Sequence, residues 1–594
     1  MMKSSIGSSL VMFVCSAQAT VHYYVDDDGS QYPTADFASI QEAINDFIDP
    51  VDDAIIHVAP GIYNVAGLPG NYVFNTEGKS VQILGDTSFP GECVIDGSAS
   101  IVGLVCSNGE NSSVLVKDLV FQNCISGIYC AGNAAPTIAD CTIRNCVIIS
   151  ALATGGAGLL ITDGAHPSMS GMTIFDCHAP VGAGISISNG AWLSLTNSTI
   201  EGCSATAGSG GGILLAGNAL IEIGQLVSIL NCHAHGPDGV GGGLAVAADS
   251  MVNWVGTMGG GSIDGCSATL GGGIVIAGGS HGNLTDVTIN NCHAYSGGAI
   301  FLNGDPITAL QDILTATNLH ITSCTATGGD LPSEFASSVG GGIYAQETTS
   351  VELDQSTVMN CTAFFSGGGI YAIDVELLKL TSTTLDGNTT ILVGGGVLCE
   401  SVGSCHVEGG QWSSNTALYG GGAFLRLTSV YLEDLSVVGN IGTPDMSGPS
   451  AGAAMYLAPA ATDTIGIWEC RINANSATNG WGDAGAIAME EPDGQSDMLE
   501  VWYSDFCGNY PAVPVSDPFG LPISYHDFLN NYSVSLCHVC VGDMDGNAMV
   551  DLVDLLALLQ RWATNDTAGD INQDQTVDVL DILDLLEAWG SCSP

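Results

Sequence analysis

Near the C-terminus, oxygen-bearing residues fall at the alternating positions that wrap a hard divalent cation. Asp543, Asp545, Asn547, Asp551 and Asp554 occupy positions 1, 3, 5, 9 and 12 of a loop, and the backbone carbonyl of Met549 falls at position 7. The set recurs 27 residues later as Asp570, Asn572, Asp574, Asp578 and Asp581, with the carbonyl of Thr576 at position 7. Oxygen ligands at this spacing suit Ca2+. Position 6, where glycine normally makes the sharp turn, is Ala548 in one loop and Gln575 in the other, which predicts weaker affinity. Each loop runs into a Leu-rich helical stretch, and Trp562 and Trp589 are again 27 apart.

Other reactive residues are spread through the chain. Cys124, Cys146, Cys177, Cys203, Cys232, Cys266, Cys292, Cys324 and Cys361 recur at one position of a repeat, followed there by Asn388, Asn415 and Asn440. His178, His233 and His293 each follow one of these cysteines. The bases within the repeats are Lys117, Arg144, Lys379, Arg426 and Arg471, scattered far apart.

What positions these residues is a run of glycine triplets. Gly340 to Cys361, Gly367 to Asn388 and Gly394 to Asn415 each span 21 positions. The return from the Cys or Asn to the next triplet varies, from 5 positions after Cys266 to 16 after Cys324. A fixed arc followed by a variable one is a single rung with loops extruded from one edge, so the repeat is a solenoid. Each triplet is followed by three short β-rich runs, such as Ile343-Tyr344-Ala345, Val351-Glu352-Leu353 and Ser356-Thr357-Val358. None has room for a helix, and three short strands per turn predict a right-handed parallel β-helix. Rungs roughly 4.8 Å apart stack the Cys/Asn position into an inward ladder. Side chains in register point the same way, and asparagine replaces cysteine along the column, so stacked thiols are expected rather than disulfides; a redox or metal-binding thiol column is the alternative. The three histidines lie two rungs apart, with Ser204 and Ser267 between them. That is roughly 9.6 Å, too far for one metal to join them at ordinary bond lengths.

The chain has 594 residues, 61 of them acidic against 8 Lys and Arg, for a net charge of −53. Such a surface disfavours nucleic acid and anionic membranes and favours divalent cations. Residues 1–19 read as a secretory signal: Lys3, an apolar stretch from Leu10 to Val14, and Ala17-Gln18-Ala19. No later apolar stretch is long enough for a membrane span. The expected location is secreted, extracellular or at the cell surface.

Residues 36–47 (DFASIQEAINDF) form a predicted amphipathic helix, followed by Ile55-Ile56-His57-Val58 and Pro60-Gly61-Ile62-Tyr63. This order resembles the N-terminal cap of pectin-lyase-like β-helix proteins, which implies that the helix covers the open end of the first rung. Asn415-Thr416-Ala417-Leu418-Tyr419-Gly420-Gly421-Gly422 resembles the repeats of polymorphic outer-membrane adhesins. The tandem loop-helix units of 541–594 resemble a type I dockerin, which implies an EF-hand-like calcium module and a cohesin-like or cell-surface anchoring partner. Loop positions 10 and 11, which help dockerins recognise a cohesin, are apolar here: Leu552-Val553 and Val579-Leu580. If the two units pack antiparallel as in dockerins, Cys592 meets Cys537 or Cys540.

The expected organisation is therefore a signal at 1–19, a cap with the first rungs at 20–100, a right-handed parallel β-helix at 101–510, a last turn and linker at 511–540, and a dockerin-like domain at 541–594. The base beside calcium-binding acids of pectate lyases and the paired-Asp, GHG and RIK pattern of polygalacturonases are not found. Two functions stay open: binding or processing of an extracellular polysaccharide, which the company of a dockerin-like tail implies, and a non-catalytic adhesin or spacer.

Overall fold

A computed structural model describes residues 20–47, 54–64, 71–149, 155–256, 261–304, 312–327, 338–443, 450–460, 462–477, 486–490, 499–509, 515–516, 526–528, 531–533, 549–550, 552–562, 577–587 and 589–591. The repeat folds into a parallel β-solenoid. One turn runs Ile343–Gln346, Ser350–Asp354, Thr357–Met359 and Thr362–Ala363. Each strand pairs in parallel with its counterpart one turn later, as Ile343 with Ile370, Val351 with Leu378, Val358 with Leu385 and Thr362 with Thr389. Strands that follow the triplets build a 16-stranded sheet. The second and third runs share a 33-stranded sheet, because they fuse into ten-residue strands at Leu377–Asp386 and Ser404–Ser413. The two-residue runs after the Cys/Asn position form narrow sheets of three and seven strands.

Period-2 alternation sends Ile343, Ala345, Val351, Leu353 and Val358 inward, where they join one apolar core extending from Val25 to Val515. The three glycines of a triplet have different reasons to be glycine. Gly340 takes φ +63, a left-handed corner. A Cβ on Gly341 would lie 2.3 Å from the carbonyl of Gly368, and one on Gly342 would lie 2.7 Å from that of Gly369. In these two turns the corner backbones stack so closely that an added Cβ would collide.

The N-terminal helix is shorter than its apolar pattern predicts, Ile40–Asp46 rather than 36–47. Ser39 has extended backbone and accepts from the Glu42 amide, so it caps the helix there. Phe37 lies before the cap, bridged to Val25. Ile40, Ala43 and Ile44 are buried in the main core.

The predicted ladder is present. The nine column cysteines are buried and unbridged. Each thiol finds a backbone carbonyl two residues earlier: Cys177 Sγ donates to Phe175 at 3.6 Å, Cys232 to Leu230 at 3.4 Å, Cys292 to Asn290 at 3.2 Å and Cys361 to Met359 at 3.4 Å. Cys203, Cys266 and Cys324 donate likewise, to the carbonyls of Glu201, Asp264 and Thr322. Burial acts upward on all of them and keeps the column as neutral thiols. The residue before each ladder position is commonly left-handed, as Asn231 (φ 50), Asn291 (φ 48) and Asn360 (φ 52) are. From Asn388 the column is amide, and it continues beyond Asn440 to Asn475 and Asn509.

One carboxyl is buried inside the solenoid. Asp312 is fully buried; its Oδ1 accepts from the Ser280 amide at 2.7 Å, and its Oδ2 has no partner among the described residues. Burial pushes its carboxyl up to about 6, against the opposing pull of backbone amides. The folded state therefore holds this proton more tightly than the unfolded chain. The contribution is fully present below the ordinary value of 3.8 and is lost as pH rises through about 6. Asp312→Asn keeps the accepting oxygen and removes the charge. Thermal midpoints of variant and parent should diverge above pH 6, with the variant more stable by about 2–3 kcal/mol, and converge below pH 4.

Candidate functional site

Alternation that fills the core also turns one row of residues outward on the 16-stranded sheet. The outward residue directly after each triplet strand begins is Val275, Phe301, Tyr344, Tyr371, Leu398 and Phe424 on successive turns. Tyr344 and Tyr371 stack with ring centroids 5.2 Å apart, and Phe301 lies 5.3 Å from Tyr344. Phe424 stacks on Tyr456 at 4.9 Å. Two positions on, the outward row reads Ala277, Asn303, Gln346, Ile373, Glu400 and Arg426, polar on four of its six turns. A wall along the other side comes from residues just before the triplets, including Val339, Ser366 and Val393, which bridge from turn to turn.

Together they form a groove of about 830 Å³ running along the solenoid axis. Six turns at roughly 4.8 Å give a floor about 24 Å long. Tyr371 Oη donates to Glu400 Oε2 at 3.2 Å, and Arg426 Nη1 lies 2.9 Å from Glu400 Oε1. Tyr344 Oη donates to Gln346 Oε1 at 2.6 Å. Burial, with nearby carboxylates, pushes the Tyr344 hydroxyl up to about 12 and Tyr371 further. Both therefore stay neutral donors. Among the described residues lining the groove, Glu400 is the one carboxylate and Arg426 the one base, and they neutralise each other. An apolar aromatic floor edged by amides and one ion pair can stack flat rings and hydrogen-bond their hydroxyls.

A family model described as a right-handed beta helix region matches residues 70–257. The fold is a right-handed β-helix. No curated protein matches the chain. A right-handed β-helix with this groove is at the coarse level a polysaccharide-related or surface protein.

The sequence-predicted bases are not gathered into a site. Lys117 pairs with Asp118 and Asp140, and Arg144 with Glu92. Lys379 stands between Glu352 and His406 on the long sheet, and Arg471 is in register with Asp505. The histidines remain on separate rungs: His233 Nδ1 is 2.8 Å from Ser267 Oγ, and His293 Nδ1 is 2.5 Å from Thr325 Oγ1. His178 is paired across to Ser204.

Of the predicted calcium ligands, Asp543, Asp545, Asn547, Asp551, Asp570, Asn572, Asp574 and Thr576 lie outside the described residues, as do Cys537, Cys540 and Cys592. Met549 begins a short strand antiparallel to Gly590–Ser591. Helices Leu552–Gln560 and Val579–Glu587 pack through Val550, Leu558, Val577 and Leu585. The position-12 residues of the two loops, Asp554 and Asp581, are both fully buried. Asp581 Oδ2 accepts from the Asp578 amide at 2.7 Å. Each helix leaves the same apolar stripe exposed: Leu552, Val553, Leu556, Leu559 and Trp562 on one, and Val579, Leu580, Leu583, Leu586 and Trp589 on the other.

The groove aromatics were legible only in part. Tyr344 and Tyr371 sit visibly after Gly-Gly-Gly-Ile, but the row becomes a site only once the register stacks Phe301 and Phe424 into line with them.

Proposed function

We propose that this protein is an extracellular polysaccharide-binding β-helix that holds a neutral, linear glycan in the aromatic groove. The carrying observation is the row Phe301, Tyr344, Tyr371 and Phe424, edged by Asn303, Gln346, Glu400 and Arg426. Charge chooses the ligand class. A chain of net charge −53 repels polyanions such as polygalacturonate, whereas the groove itself is locally neutral. Binding to a panel of soluble glycans, followed by calorimetry, tests the reading. Tyr371→Ala should weaken binding about tenfold, an aromatic stacking contribution near 1–1.5 kcal/mol, with the thermal midpoint nearly unchanged. Unchanged affinity in Tyr371→Ala and Tyr344→Ala would remove the groove from the account.

Three further assignments belong to this reading. Residues 1–19 direct export. Helix Ile40–Asp46 serves as a pectin-lyase-like cap, supported by its buried Ile40, Ala43 and Ile44. The C-terminal segment is a dockerin-like Ca2+ module, supported by the buried pair Asp554 and Asp581 and by two matching apolar stripes. Asp543, Asp545, Asn547, Asp551 and Asp554, with Met549, would hold one ion; Asp570, Asn572, Asp574, Asp578 and Asp581, with Thr576, would hold the other. The stripes then serve to anchor the protein to a cohesin-like or cell-surface partner.

A further inference from the structure

A second aromatic surface lies on a different face, the long sheet near the C-terminal end of the solenoid. Tyr431, Trp468 and Trp502 stand on three successive turns, in the rows that join Tyr431 to Gly466 and Trp468 to Trp502. The indoles are nearly parallel, 5.2 Å between centroids and 14° between planes. Trp468 leans across Gly466: a Cβ there would lie 2.6 Å from Trp468 Nε1. That nitrogen is covered and has no hydrogen-bond partner among the described residues, so the ring is held down against the sheet by the missing side chain. On the next turn the residue in the Gly466 position is Glu500, and Trp502 Nε1 donates to its Oε2 at 3.4 Å.

The platform opens into a depression of about 500 Å³, lined by Tyr431, Trp468, Asp463 and Glu500 and by the hydroxyls of Ser429 and Thr464 among others. Among the described residues lining it there is no Lys or Arg. Glu433, in register with Trp468, accepts from Tyr431 Oη at 2.9 Å and adds a third carboxylate beside the rings. This differs from the groove in one decisive respect: no Lys or Arg stands among its described lining residues, and the base that does approach its acids, His526 with Nδ1 3.9 Å from Glu500 Oε1, carries charge only when protonated.

We propose that this face binds the amino-sugar units of a cationic polysaccharide. Flat rings accept the flat C–H face of a pyranose. Carboxylates beside an aromatic face favour an ammonium group, by charge and by cation–π attraction. A lysine side chain would bring the charge on a thin stem and leave the rings uncovered. An arginine would stack but offers no acceptor to the Ser429 and Thr464 hydroxyls, whereas a sugar both donates and accepts. The proposal does not depend on the groove, which lies on the other sheet.

The test uses the full chain and oligomers of β-1,4-linked glucosamine, with the N-acetylated oligomer and oligoarginine of equal length as comparisons, read by tryptophan fluorescence and calorimetry. The glucosamine oligomer should bind at least tenfold tighter than its N-acetylated form. Trp468→Ala should abolish that binding, and Glu500→Gln should weaken it about fivefold while leaving the weak N-acetylated binding unchanged. Tyr371→Ala should have no effect. Equal affinity for oligoarginine, equal affinity for the N-acetylated oligomer, or indifference to both Trp468→Ala and Glu500→Gln would overturn the proposal.

Discussion

Replacing Asn415 with leucine should cost the solenoid about 3–6 kcal/mol locally, more than any surface change described above. Asn415 Nδ2 donates to the Leu385 carbonyl at 2.8 Å and to Asn440 Oδ1 at 3.0 Å. Its Oδ1 accepts from the Asn388 amide at 2.9 Å and from Asn388 Nδ2 at 3.0 Å. Leucine is close in size but satisfies none of these groups. It leaves the Asn388 amide and one Asn388 Nδ2 hydrogen buried without an acceptor, at about 1–3 kcal/mol each, and the Leu385 carbonyl and Asn440 Oδ1 each lose one donor. Asn415→Cys should cost about half as much, because a sulfur can accept from the amide of the previous rung, as Cys266 Sγ does from Cys232 at 3.4 Å. Stability in a solenoid is a sum over neighbouring turns, so the readout is local. Amide exchange should accelerate in the turns carrying Asn388, Asn415 and Asn440 and stay slow near Cys203. Uniform acceleration along the whole solenoid, or none, would contradict this account.

The same column marks how far the sequence could be read. Cys232, Cys292, Cys361, Asn388, Asn415 and Asn440 are visible because each sits 20–22 positions after an intact triplet, and the remaining cysteines fall into line with them. Asn475 and Asn509 are harder to see, since the preceding corner reads Gly452-Ala453-Ala454 and the next is further eroded. The local signals were nonetheless there: Asn475-Ser476-Ala477 repeats Asn415-Thr416-Ala417, and Asn509 follows a glycine with φ 58. Alanine is tolerated at the second and third corner positions in those turns, while the first, left-handed position stays glycine at Gly452 (φ 59). The helix boundary was misjudged for a different reason. Apolar spacing cannot distinguish Phe37 inside a helix from Phe37 bridged to Val25, whereas the capping preference of Ser39 can. The Trp468 platform was the least legible feature. It depends on which residue of the neighbouring row lacks a side chain, and that requires the register between Tyr431, Gly466 and Glu500.

Removing Ca2+ should unfold the C-terminal helices and leave the β-helix intact. Asp554 and Asp581 are fully buried at equivalent positions 27 residues apart, each in the first turn of its helix. Residues 541–594 hold eleven acids against the single base Arg561. A buried carboxylate in so acidic a segment is costly unless hydrogen bonds or a cation offset its charge, and the spacing of the other loop oxygens matches a calcium shell. The apolar core joining the helices is small, Val550, Leu558, Val577 and Leu585 with flanking Leu555 and Ile582, so ion binding should carry much of the folding energy. The solenoid instead rests on a continuous core from Val25 to Val515, so its folding should not depend on an ion. Chelation of the full chain should therefore remove most of the helical circular dichroism and expose 541–594 to protease, while the β signal and its melting temperature persist. Asp543→Ala combined with Asp570→Ala should reproduce the effect with calcium present. Loss of the β signal on chelation would place a cation among the rungs and reopen calcium-bridged binding of acidic glycans. A helical signal indifferent to both chelation and the double substitution would mean that Asp554 and Asp581 are held by protein groups alone, and that the loop spacing carries no ion.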